Sequence, residues 1–108
     1  MSRITTHVLD TAHGMPAAGV PVRLFDGDGA TIGTGHTDAD GRVKELGPED
    51  LSAGIYRLVF DTQRYFDLIE VEAFYPSVTI EFHVLDPDEH FHVPLLLNPF
   101  GFSTYRGS

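Results

Sequence analysis

Three side chains of this 108-residue chain have the chemistry for moving protons and holding negative charge near neutral pH: His7, Arg42 and His92. An unperturbed imidazole titrates near about 6.5, and a guanidinium beside it is suited to polarising a carbonyl and steadying a developing oxyanion. Taken singly, each is more simply a surface or hydrogen-bonded residue, so the chemistry depends on whether the fold brings them together. His90 and His92 have the i, i+2 spacing that puts two rings on one strand face, as some strand-built metal sites require. Zinc needs at least a third protein ligand, and His92 is followed by Val93, Pro94 and three leucines. The expectation is therefore no metal and no cofactor. His13, His36 and His83 are most simply exposed or structural. Ser52, Ser77 and Ser103 sit in no Gly-x-Ser-x-Gly elbow. Gly27, Gly29, Gly33 and Gly35 do not complete a nucleotide-binding fingerprint. The Asp38-Ala39-Asp40-Gly41 run lacks the rest of a calcium loop and reads better as a turn.

The elements that must position these groups are short strands. Period-two alternation recurs between Gly, Pro and Asp punctuation, the pattern of an antiparallel sandwich or barrel. The first strand spans Arg3 to Leu9, with Ile4, Thr6 and Val8 on one face and Thr5, His7 and Leu9 on the other. A loop through Gly14, Pro16 and Gly19 leads to Val20–Phe25, and Asp26-Gly27-Asp28-Gly29 turns the chain into Ala30–Thr37. Asp40-Gly41 repeats that turn chemistry before a short strand, Arg42–Leu46. Ile55–Phe60, Ser77–Leu85, Phe91–Leu97 and Phe102–Tyr105 complete about eight strands. The one helix expected is Thr62–Ile69, capped by Thr62, with Tyr65, Phe66 and Ile69 along one side. Phe100 to Ser108 keeps strand-like alternation where most domains fray, so this tail is expected to pack against something. Unpaired edges in such a sheet are usually covered, which favours a symmetric oligomer.

Composition narrows the partners. Lys and Arg number 7 against 16 Asp and Glu, a formal charge of −9, which disfavours duplex DNA and anionic membranes. A neutral or anionic small molecule held by local cations remains open. The absence of cysteine excludes disulfides, thiolate zinc sites and thiol nucleophiles. With 42% apolar residues, 8 Phe and 4 Tyr, residues 1–108 read as a single globular domain. Neither a signal-peptide stretch nor a membrane span is visible, so a cytoplasmic protein is expected.

Several segments, in order along nearly the whole chain, carry a resemblance. Ile4-Thr5-Thr6-His7-Val8-Leu9-Asp10 with Gly14-Met15-Pro16-Ala17 looks like the opening signature of the transthyretin-like family, specifically its 5-hydroxyisourate hydrolase branch. Gly54-Ile55-Tyr56-Arg57 resembles the middle segment. His90-Phe91-His92-Val93-Pro94-Leu95-Leu96-Leu97 and Tyr105-Arg106-Gly107-Ser108 resemble the closing motifs. The last tetrapeptide discriminates, because the hormone-carrying members lack it together with both active-site histidines and the arginine. The resemblance implies an all-β, transthyretin/prealbumin-like sandwich of two four-stranded sheets with one short helix. It also implies a homotetramer, a dimer of dimers, with active sites in the channel between dimers. His7 and His92 fall on the family's catalytic histidines, Arg42 on its substrate-binding arginine, and Tyr105, Arg106, Gly107 and Ser108 on its terminal motif, which would orient the substrate. The implied reaction adds water across an acyl C–N bond of 5-hydroxyisourate, giving 2-oxo-4-hydroxy-4-carboxy-5-ureidoimidazoline. One imidazole would deprotonate the water while Arg42 steadies the oxyanion; spacing leaves open which ring is the base. The rival readings are a carrier of a small hydrophobic ligand, a metal hydrolase using His90 and His92, and an interaction module.

Overall fold

Alternation decides which side chains the first strand gives to the core. The computed structural model describes residues 3–108; Met1 and Ser2, at the head of the N-terminal stretch, lie outside them. The chain runs β1 (Ile4–Asp10), β2 (Met15–Pro16), β3 (Pro21–Phe25), β4 (Thr31–His36), β5 (Arg42–Leu46), β6 (Gly54–Phe60), α1 (Thr62–Leu68), β7 (Val78–Val84), β8 (Phe91–Asn98) and β9 (Gly101–Thr104). In β1, Ile4, Thr6, Val8 and Asp10 turn inward and are buried, which leaves Thr5, His7 and Leu9 to the opposite face.

β1 is the axis of one sheet. β8 runs parallel beside it, pairing Ile4 with Phe91 through to Asp10 with Leu97. The other edge of β1 is shared: antiparallel β5 lies along its first half, and the two-residue β2 pairs with Leu9 and Asp10. β9 folds back on β8 as the outer strand. The second sheet is antiparallel in the order β4-β3-β6-β7. Between the sheets Val8, Leu24, Leu58, Phe60, Phe66 and Leu95 are sealed from solvent, each such burial stabilising by about 1.5–3 kcal/mol.

The sandwich matches the expected class, with strand ends within a residue or two of those read from the pattern. Three readings change. The first sheet is mixed rather than antiparallel, because β8 runs parallel to β1. The Met15–Pro16 stretch, expected as loop, adds a fifth member to the first sheet; proline is tolerated there because the pairing lies at an edge. The helix cap is Asp61 rather than Thr62: Asp61 has non-helical dihedrals at the end of β6, and its carboxylate accepts the Arg64 N–H at 3.4 Å, while Thr62 is buried in the first turn. Among the described residues no helix is long and apolar enough to cross a membrane.

One buried carboxylate ties the helix to the sheet. Asp10, 1% exposed, accepts hydrogen bonds from the Tyr65 hydroxyl at 2.6 Å, the His13 ring at 2.8 Å and the backbone N–H groups of Ala12 and His13. Burial by itself would push this carboxyl up, but the donors outweigh it and hold it below its ordinary value. Its stabilisation is therefore fully present above the unfolded value near about 3.9 and is lost as pH falls through the lower folded value. Tyr65→Phe should destabilise the protein by about 1.5–3 kcal/mol at pH 7, the worth of a hydrogen bond to a charged group. Urea titrations at pH 7 and pH 3 should show the gap to wild type narrowing in acid; an equal gap at both would mean that Tyr65 does not act through an ionised Asp10.

Candidate active site

The outer face of the first sheet gathers the titratable groups. His7 on β1 sits directly opposite Arg42 on β5, and Thr5, two residues earlier on the same face, sits opposite His92 on β8. Directly opposed residues in a sheet bring their Cβ atoms within about 4.5–5.5 Å, so three strands deliver two imidazoles and a guanidinium to one patch. A depression of about 250 Å³ opens there, its wall including Thr5, Arg42, Lys44, His90, His92 and Ser108. His7 stands beside this depression rather than on its wall.

Arg42 is presented by the turn before it. The Asp38 carboxylate accepts the backbone N–H groups of Asp40 at 2.9 Å and Arg42 at 3.0 Å; the Arg42 N–H bond is the main reason that carboxyl lies below its ordinary value. Gly41 follows with φ +79°, and a Cβ there would meet the Val8 carbonyl oxygen, which only glycine avoids. The Arg42 guanidinium itself makes no hydrogen bond or ion pair with any described residue. A half-buried guanidinium with all five donors uncommitted is set up to take an anionic or carbonyl-bearing guest.

The two rings are held through different nitrogens. His7 Nε2 donates to the Asp40 carbonyl at 2.8 Å; a carbonyl can only accept, so that nitrogen carries its proton and Nδ1 is the one left over. His92 is tied through Nδ1, 2.8 Å from the Thr5 hydroxyl, and its Nε2 has no partner among the described residues. Burial holds the His92 ring below its ordinary value, reinforced by the charges of Arg42, His7 and His90, so at neutral pH it is uncharged and able to accept a proton.

The tail completes the patch. Beyond β9, the Gly107 N–H donates to the His92 carbonyl at 2.8 Å. The Arg106 guanidinium lies 4.6 Å from the centre of the Phe91 ring, with Nη2 3.3 Å from a Glu89 carboxylate oxygen and from the His90 carbonyl. Arg106 thus clamps the tail while Ser108 reaches the wall of the depression. Tyr105 and Arg106 line a second depression of about 250 Å³ on the other flank of His92.

Of the residues singled out in the sequence, His7, Arg42, His92, Gly107 and Ser108 therefore share one face, with Tyr105 and Arg106 on its margin. His13 is engaged with Asp10, while His36 and His83 are exposed. Among the described residues no three His, Cys, Asp or Glu side chains converge as metal ligands; His90 Nε2 and His92 Nδ1 both point to the Thr5 hydroxyl. Sequence reasoning missed Thr5 and Lys44 as parts of the site. The signal was present: Thr5 is two residues from His7 and Lys44 two from Arg42, so alternation puts each pair on one face.

Two sheets packed face to face, with an imidazole–guanidinium patch on the outside of one, define a transthyretin-like sandwich whose outer face carries titratable and cationic side chains. The HIUase/Transthyretin family model matches residues 4–107, and the chain belongs to that family. It is 47% identical over 109 residues to the 5-hydroxyisourate hydrolase of Salmonella typhimurium, covering 97% of this chain and 80% of that protein. The structure of Klebsiella pneumoniae 5-hydroxyisourate hydrolase superposes with a TM-score of 0.89 at 39% identity, covering 100% of this chain and 94% of that one. Transthyretin from Sparus aurata superposes with a TM-score of 0.91 at 30% identity, covering 99% and 97%.

Proposed function

We propose that this protein is a 5-hydroxyisourate hydrolase, adding water across the acyl C–N bond of the six-membered ring to give 2-oxo-4-hydroxy-4-carboxy-5-ureidoimidazoline. The observation that carries the reading is the pairing, on the wall of one depression, of an Arg42 guanidinium and a neutral His92 whose Nε2, like that guanidinium, has no partner among the described residues. Relatives bearing that enzyme name support it. His92 Nε2 takes a proton from water as the oxygen attacks the ring carbonyl, and Arg42 holds the substrate and the negative charge forming on the carbonyl oxygen. His7, fixed by the Asp40 carbonyl, and the tail from Tyr105 to Ser108 orient the ring. A strained cyclic acyl substrate needs neither a covalent nucleophile nor a metal. The site works in a homotetramer, a dimer of dimers. In one chain it lies open on a sheet face, and the adjoining outer strand β9 exposes Phe102, an edge that association would cover.

Generating 5-hydroxyisourate from urate with urate oxidase and following its ultraviolet decay tests the activity. Accelerated decay that survives a chelator is expected. Unchanged decay would leave the carrier of a small hydrophobic ligand, a reading that the transthyretin-like fold alone allows but that a surface of histidines, arginine and lysine disfavours, because an apolar guest would desolvate them uncompensated. Light scattering checks the assembly. A base held below its usual value also sets the pH dependence: kcat/KM should stay level through neutrality and fall only in acid, with a midpoint under about 6.5. A midpoint above that value would unseat His92 as the free base.

A further inference from the structure

The Thr5 hydroxyl stands between two imidazoles, 2.8 Å from His92 Nδ1 and 2.9 Å from His90 Nε2. A hydroxyl has one proton to give and lone pairs to receive with, so it cannot donate to both rings; one ring must donate to it. Two arrangements satisfy both contacts and also use the Thr5 proton; a third, with both rings donating to the Thr5 oxygen, leaves that proton without a partner among the described residues. In one of the two, His92 Nδ1–H donates to Thr5 and Thr5 donates to His90, leaving the His92 Nε2 lone pair free. In the other both bonds are reversed, and His92 Nε2 carries a proton. Thr5 is itself buried at 8% exposure between the strands, whereas His90, on the wall of the same depression, is exposed, so the three groups run from a half-buried ring to a solvent-exposed one.

We infer that His92, Thr5 and His90 form a proton path in which Thr5 and His90 keep His92 Nε2 free as an acceptor and carry its proton out to solvent. The inference rests on the hydrolase reading for its use and on the two contacts for its existence. As water attacks, its O–H bond breaks and a bond from hydrogen to His92 Nε2 forms, the hydroxide oxygen bonding to the substrate carbonyl carbon. His92 Nδ1 then passes its proton to the Thr5 oxygen, and the former Thr5 proton passes to His90 Nε2. His92 is left neutral with a proton on Nε2, Thr5 is unchanged, and His90 is an imidazolium that releases Nδ1–H to water. The chain of hydrogen bonds then points the other way: as His92 Nε2–H goes to the departing ring nitrogen, the Thr5 proton passes to His92 Nδ1, His90 Nε2–H replaces it on Thr5, and His90 Nδ1 takes a proton back from water, which restores the starting arrangement. Thr5 and His90 act through His92 and are positioning residues.

Nitrogen-15 spectra of the histidine rings at neutral pH, recorded on wild type, Thr5→Ser, Thr5→Val and His90→Ala, decide the matter together with hydrolysis rates. Wild type and Thr5→Ser should show neutral His92 protonated at Nδ1. His90→Ala leaves the Thr5 hydroxyl no ring to donate to, so it turns to His92 Nδ1 and the His92 proton moves to Nε2. Thr5→Val leaves the ring in a mixture of both forms. kcat should fall about 10- to 100-fold in both Thr5→Val and His90→Ala, by analogy with the loss of a hydrogen-bonding partner that orients a metal-bound imidazole, and Thr5→Ser should restore most of it. Because His90 is exposed, His90→Ala keeps the test available should Thr5→Val not fold. Wild-type His92 protonated at Nε2, or a His90→Ala protein with unaltered tautomer and rate, overturns the path. A wild-type protein that leaves 5-hydroxyisourate decay unchanged defeats the hydrolase reading instead, and the tautomer spectra still decide whether the path exists.

Discussion

His92→Ala should fold like the wild type and lose about 10²–10⁴-fold in kcat/KM, the usual worth of a positioned general base. The fold should survive because the His92 ring faces away from the core: its neighbours Phe91 and Val93 carry the burial on β8, and the pairing of β8 with β1 is a matter of backbone. The chemistry should not survive, because the other ring cannot simply take over. His7 Nε2 is spent on the Asp40 carbonyl, which anchors the ring beside the depression rather than on its wall. The acidic limb of the pH profile should vanish with the ring, leaving a slow and nearly flat rate. Arg42→Ala should cost about 10²–10³-fold by contrast, as for one lost oxyanion donor, while keeping the limb and raising KM, since the guanidinium both binds and stabilises. Rates near wild type in either variant, measured on protein of unchanged circular dichroism, would remove that residue from the site.

The reasons that such a site is partly legible in one dimension are visible in particular residues. Alternation put His7 and Thr5 outward on β1 because a two-residue period leaves no other choice once Ile4, Thr6 and Val8 are committed to the core. The Asp40-Gly41 turn chemistry announced where Arg42 would emerge, and the positive φ of Gly41 is the physical content of that signal. Alternation could not announce which strands are neighbours. β1 and β8 pair in parallel across more than eighty residues of chain, a partnership specified by the packing of both sheets and by no local spacing. The Thr5 hydroxyl between His90 and His92, with sequence separations of 85 and 87, depends on that pairing and was therefore hidden; the Asp10–Tyr65 bond, across 55, was hidden by the equally non-local docking of the helix on β1. His90 illustrates the cost. Read from spacing, its i, i+2 relation to His92 offered two rings on one face with no third ligand for a metal and no other role; in space, the two rings share a hydroxyl. The helix cap failed for a smaller reason, since Asp61 and Thr62 are both good capping residues and only the backbone turn at the end of β6 selects between them.

The tail glycine gives the second large effect. Gly107 carries no positive φ, so its identity is not demanded by backbone conformation. It is demanded by space: a Cβ built there would lie 2.6 Å from His92 Cδ2 and 3.2 Å from Pro94 Cγ, with the backbone held in place by the bond from Gly107 N–H to the His92 carbonyl. Gly107→Ala must therefore either lift the tail off β8 or push the His92 ring sideways. The tail has a strong hold on its own ground, through the Arg106 guanidinium on Phe91 and Glu89 and the Thr104 hydroxyl on the Pro94 carbonyl at 2.7 Å. The ring is the softer of the two, attached by rotatable bonds and by one hydrogen bond to Thr5. Displacing a working group by about 1 Å costs about 10²-fold in rate, so Gly107→Ala should approach the loss seen on deleting the imidazole while changing a single methyl group and no titratable atom. Thermal stability should fall little, because the core between the sheets is untouched. Adding Arg106→Ala should relieve part of the defect, since a tail freed from its clamp can yield to the new methyl instead of the ring. If Gly107→Ala hydrolyses 5-hydroxyisourate at the wild-type rate, the contact between the tail and His92 has no part in setting the ring, and the terminal residues must earn their place in the site by touching substrate alone.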